Sequence, residues 1–85
     1  MDKKLLEIIN HYGIKAQLKH LYSELYELTE VITSLPNENM MIADELADIH
    51  VLIRQLQLIY EITDEDIKER MEFKVNRQIE RIEHE

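Results

Sequence analysis

The phrase ELYEL at 24–28 returns as ELADI at 45–49, and each copy sets two carboxylates three residues apart: Glu24 with Glu27, and Glu45 with Asp48. On a helix that spacing puts both acids on one face, a turn apart. The first acid of each pair precedes one apolar residue (Leu25, Leu46) and the second precedes another (Leu28, Ile49), so both pairs border an apolar stripe at the same angle. Two such helices packed stripe to stripe bring four carboxylates to one seam. Acids at this spacing recur elsewhere in the chain, for example Asp66 with Glu69. What sets these four apart is their lack of counter-charge. Between Lys19 and Arg54 there is no Lys or Arg, while Glu24, Glu27, Glu30, Glu38, Asp44, Glu45 and Asp48 all fall there. None of the four has a Lys or Arg three or four residues away, whereas Glu7 has Lys3 and Lys4, Asp66 has Arg70 and Glu72 has Lys68. Clustered carboxylates repel one another and hold protons above their usual range unless a cation joins them. Two readings therefore stand: a solvated acidic face, or a divalent-cation site whose all-oxygen donors favour Mg²⁺, or Mn²⁺, over zinc.

The elements that must position these acids are helices. Residues 2 to 12 carry Leu5, Leu6, Ile8 and Ile9 on a rough stripe and end at Gly13, the only glycine, which predicts a short first helix. From Ile14 to Leu35 the positions Leu18, Leu21, Leu25, Leu28, Ile32 and Leu35 step by three and four, the signature of a long amphipathic helix. SLPNEN at 34–39 holds the only proline and reads as a loop. A third helix is expected from about Met40 to Tyr60 on the stripe Ile42, Leu46, Ile49, Ile53, Leu56 and Tyr60. Val51, Leu52, Leu58 and Ile59 give it further apolar surface, which calls for cover on several sides. Thr63 with Asp66 has the form of a capping box and opens a last helix towards the C-terminus.

Composition agrees. The 85 residues are 45% hydrophobic, with one Gly, one Pro and no Trp, and they are expected to form one all-α domain, residues 1–85: a short N-terminal helix and three longer ones in an oligomeric bundle. A chain of this length buries only about 60 to 65% of its unfolded surface by itself. Self-association, as a homodimer at least, is therefore expected. A formal charge of −8 disfavours wrapping nucleic acid through its phosphates. No apolar run reaches membrane-spanning length, and Glu7 and Asn10 interrupt the first one, so neither a signal peptide nor a membrane partner is expected. The absence of Cys excludes thiolate chemistry and fits a reducing cytoplasm. His20 and His50 are not at zinc-ligand spacing, and with Tyr22, Tyr26, Tyr60 and Phe73 they read first as structural residues.

In the last helix Arg70, Lys74, Arg77 and Arg81 step by four, three and four, which aligns them on one face. Such a stripe contacts phosphates or neutralises nearby acids.

Glu24-x-x-Glu27, a spacer, and Glu45-x-x-Asp48 running into IHVLIRQL resemble the MazG-like all-α nucleoside triphosphate pyrophosphohydrolases, and MEFKVNRQIERI resembles their late Asn-containing motif. The resemblance covers roughly residues 14 to 82. It implies hydrolysis of a nucleoside or deoxynucleoside triphosphate, often a non-standard one, to the monophosphate and pyrophosphate. It implies Mg²⁺ on Glu24, Glu27, Glu45 and Asp48, with Lys74, Asn76 and Arg77 towards the nucleotide, and it also implies dimers or tetramers built from dimers. The contrasting expectation is a catalytically inactive helical dimer that serves as a regulatory or interaction protein.

Overall fold

The structure is a computed structural model that describes residues 1–34 and 38–85. Among the described residues there are four helices and no strand: α1 (Asp2–Tyr12), α2 (Ile14–Ser34), α3 (Asn39–Ile59) and α4 (Asp64–Glu83). The all-α expectation holds, with one short helix followed by three long ones. The proposed 34–39 loop is bracketed by Ser34 and Asn39, and its residues 35–37, with the stripe position Leu35, lie outside the described residues.

Gly13 alone separates α1 from α2. Its φ of 87° lies where side chains are disfavoured, which is why a glycine serves here. Its N–H donates to the Ile9 carbonyl at 2.8 Å and its own carbonyl accepts from Gln17 at 3.2 Å, so the one residue closes the last turn of α1 and the first turn of α2. The α3–α4 link follows the same logic with a different residue. Glu61 takes φ 54°, and the Ile62 N–H donates to the Gln57 carbonyl at 2.9 Å, the six-to-one bond that closes a Schellman turn. Beyond it the capping box forms as expected: Thr63 Oγ1 accepts from the Asp66 N–H, and the Thr63 N–H donates to Asp66 Oδ2, both at 3.0 Å.

α2 and α3 form the main antiparallel pair, and α1 packs on α3 and less on α2. Leu5 and Ile9 from α1 join Ile49 and Leu52 from α3 as the buried apolar core. The seam between α2 and α3 departs from the expected stripes by one residue. On α2 it runs along Gln17, Leu21, Glu24, Leu28 and Val31, and on α3 along Ile42, Glu45, Ile49, Leu52 and Leu56. Leu18, Leu25 and Ile32, and likewise Leu46 and Ile53, turn outward. Two buried polar side chains take part: Gln17 Nε2 donates to Gln55 Oε1 at 2.8 Å, which pairs the donor group of one amide with the acceptor of the other.

α4 departs further from expectation. It supplies none of the cover that the further apolar surface of α3 calls for: among the described residues it packs against none of the other helices and buries none of its own side chains. It is held at its first turn, where Arg54 Nη1 donates to both Asp64 oxygens at 2.6 and 2.7 Å and Gln57 Nε2 adds a bond at 3.0 Å. Arg54 also stands 3.6 Å from Asp2, joining the start of α1 to the start of α4. The surplus apolar surface expected on α3 is distributed differently: Leu52 is buried, Val51 faces the α1 side, and Leu58 and Ile59 are half-buried.

Candidate metal centre

The one-residue rotation of the seam carries an acid from each repeated phrase inward. Glu24 is buried and Glu45 half-buried, while Glu27 and Asp48 stay exposed at the edge of the same cluster. One carboxylate oxygen each from Glu24, Glu27 and Glu45 lies within 4.8 Å of the others, close enough to share one cation. Asp48 stands beside this trio, and its negative charge contributes to raising the Glu45 pKa. Three of the four expected acids thus meet at one point and the fourth flanks it.

The electrostatics show what such an arrangement requires. Glu45 is pushed above the ordinary carboxylate range, first by a hydrogen bond with Glu24, then by burial and by the negative charges of Glu24 and Asp48, with a bond to Glu27 opposing. As fully ionised groups, Glu24 Oε2 and Glu45 Oε2 are buried with no hydrogen-bond partner among the described residues. A proton on Glu45 or a shared cation supplies the missing partner, because buried oxygens without one are costly. Glu24 is steadied from its outer side, where His20 Nε2 lies 3.0 Å from Glu24 Oε1. His20 thus contributes to the site although sequence reading set it among structural residues; its signal was the i, i+4 spacing to Glu24.

Next to the acids, between α1 and the α2–α3 pair, lies a half-open groove of about 410 Å³. Ile8, Tyr12, Ala16, Val51 and Leu52 give it apolar walls, and Gln17, Gln55, His20 and Asp48 supply its polar groups. His20 and Asp48 are the points where groove and acid cluster meet. Neither glutamine was singled out in the sequence, because a lone Gln on a helix carries no spacing signal until its partner 38 residues away is known.

Lys74, Asn76 and Arg77 lie on α4, which does not approach the cluster within the chain. Lys74 and Arg77 share a face, three residues apart. Asn76 lines a different groove, with Glu72, Val75 and Met71. Arg70 and Arg77 flank the Phe73 ring, 4.8 and 5.8 Å from its centre. Among the described residues, no helix is long and apolar enough to cross a membrane. Compared with protein-family models, with curated proteins and with solved structures, the chain matches none.

Proposed function

We propose that this chain is a divalent-cation-dependent nucleoside triphosphate pyrophosphohydrolase of the MazG-like kind, active in a reducing cytoplasm. The observation that carries the reading is the pair of buried oxygens, Glu24 Oε2 and Glu45 Oε2, without a hydrogen-bond partner and in an acid trio that no Lys or Arg neutralises among the described residues. A purely solvated acidic face would leave such oxygens in water. The donors present suit a hard cation: they are carboxylate oxygens on two packed helices, with one further acid alongside.

Glu24, Glu27 and Glu45 would hold Mg²⁺ or Mn²⁺, with His20 fixing the orientation of Glu24 from behind. When bound, the cation offsets the triphosphate's charge of about −4 and lowers the pKa of an attacking water. Asp48 stands outside the ligating trio and lines the groove, where it would accept the proton of an attacking water as general base. The groove takes the nucleoside, with Gln17 and Gln55 offering amide groups to a base edge and Tyr12 an aromatic surface. Lys74, Asn76 and Arg77 serve the phosphates only if α4 is brought to an acid cluster, which its own chain does not do. The competing reading, an inactive helical interaction protein, draws on the large apolar surface left uncovered.

The deciding experiment is pyrophosphate release from a panel of ordinary and modified nucleoside triphosphates, with Mg²⁺ present and after its removal. Cation-dependent turnover that Glu45→Gln abolishes supports the hydrolase. No turnover on any substrate overturns it in favour of the interaction protein.

A further inference from the structure

The groove beside the acid cluster is walled by two bodies. Ala16, Val51 and Leu52 line it from the α2–α3 pair, and Ile8 and Tyr12 line it from α1. This cleft of about 410 Å³ holds the two bodies apart, so that Ile8 stays half-buried and Tyr12 is 62% exposed. Apolar walls held apart forfeit the contacts of close packing. An occupant, or a movement of α1, recovers them.

The attachment of α1 permits that movement. Leu5 and Ile9, one turn apart, are its only buried side chains, so a single line of contact seats it on the pair. Gly13 is its whole link to α2. The Gly13 N–H bonds back into α1, to the Ile9 carbonyl, and the Gly13 carbonyl bonds forward into α2, to the Gln17 N–H. Both soft dihedrals of Gly13 lie between those two groups, so α1 can turn against α2 with both bonds kept. The pair φ 87°, ψ 158° belongs to a region that is essentially restricted to glycine. Among the described residues, and beyond its chain neighbours, no heavy atom lies within 4 Å of the place a Cβ would take. No packing around the link opposes a change in its dihedrals.

The far end of α1 is fastened by charge alone. Asp2 stands 3.6 Å from Arg54 Nε, while the shorter bonds of Arg54, at 2.6 and 2.7 Å, go to Asp64. Asp2 and Arg54 are 53 and 39% exposed, which makes their contact weak and sensitive to salt. A helix of 11 residues is about 16 Å long, and a turn of about 20° at Gly13 carries its Asp2 end through about 6 Å. Such a turn parts the pair.

We propose that α1 is a lid on the groove. It turns about Gly13, opens as the Asp2–Arg54 pair parts, and closes Ile8 and Tyr12 over the nucleoside of a bound nucleotide. The occupant rests on the reading of the groove as the nucleoside site; hinge and latch stand without it.

Distances between paired spin labels test it, placed on a chain that has no Cys of its own and diluted with unlabelled chain so that only intramolecular pairs are read. Lys3→Cys with His50→Cys spans α1 and α3, and Lys19→Cys with His50→Cys spans α2 and α3; all three positions are exposed. The first pair should give two populations up to about 6 Å apart, and the second pair one. Asp2→Asn and added salt should each move weight to the longer population. Gly13→Ala, which disfavours φ 87°, should move it as well. Mg²⁺ with α,β-methylene analogues of the common nucleoside triphosphates, which resist cleavage at that bond, should gather the first pair into the shorter population. A single α1–α3 distance that neither Asp2→Asn nor salt changes overturns the lid, whatever the pyrophosphate-release assay gives. Two populations that answer to Asp2→Asn and salt but to none of the analogues uphold the hinge and overturn the nucleotide as its occupant.

Discussion

The Gln17–Gln55 hydrogen bond gives the sharpest test of the α2–α3 seam. Both side chains are buried, Gln55 at 2% exposure, and the Nε2–Oε1 distance is 2.8 Å. Gln55→Leu leaves the Gln17 amide without its acceptor. Gln17→Leu leaves the Gln55 carbonyl without its donor in the more enclosed position. An unsatisfied buried amide costs about 1 to 3 kcal/mol, and the Gln17→Leu loss should lie at the upper end because Gln55 has less access to water. The double Leu variant removes both polar groups together and adds apolar contact with Leu52 and Leu56 beside them, so it should return to near the parent stability. By difference, the two changes are then coupled by about 2 to 6 kcal/mol, the sum of two single losses of about 1 to 3 kcal/mol each. In a domain of this size each single loss corresponds to a melting shift on the order of 4 to 24 °C. The assay is a double-mutant cycle by circular dichroism melts at one fixed protein concentration, because self-association would otherwise move the midpoint. Strictly additive losses, with the double variant weakest, would refute a seam closed by this amide pair.

Further outcomes follow from other contacts. Glu45→Gln removes the carboxyl whose pKa is raised by Glu24, burial and Asp48; it should abolish Mg²⁺ binding by calorimetry while raising the melting temperature of the cation-free protein, and Asp48→Asn should weaken binding less because Asp48 flanks the trio. Asp64 is held below the ordinary carboxylate range by its hydrogen bond from Arg54, then by Gln57 and the Arg54 charge. Its contribution is therefore full above the usual carboxylate range and is lost as pH falls through the lowered value. Arg54→Gln should flatten that acid limb in melts taken from neutral to acidic pH, and added salt should flatten it as well, since the pair is exposed. Thr63→Ala removes the side-chain acceptor for the Asp66 N–H and should cost about 1 kcal/mol, seen as faster amide exchange confined to the first turn of α4.

Local chemistry made much of this protein legible in its sequence. The three-and-four spacing of leucines and isoleucines located the long helices, because only an α-helix gathers those positions on one side. Gly13 marked the first break because the chain needs a φ of 87° there, and Thr63 with Asp66 marked the start of α4 because both capping bonds are local. The acid pairs stood out through what their own helices lack, a Lys or Arg one turn away. Tertiary structure decided which side of each broad stripe faces inward. A stripe of about 100° or more offers two possible seams, and spacing along one helix does not choose between them. The choice fell on Gln17, Glu24, Glu45 and Gln55, where the two glutamines bond each other across 38 residues, and this left Leu18, Leu25, Ile32, Leu46 and Ile53 outside. It decided as well that α4, amphipathic and well capped in sequence, finds no packing partner among the other described helices, because periodicity reports that a helix has an apolar face and carries no information about what lies against it.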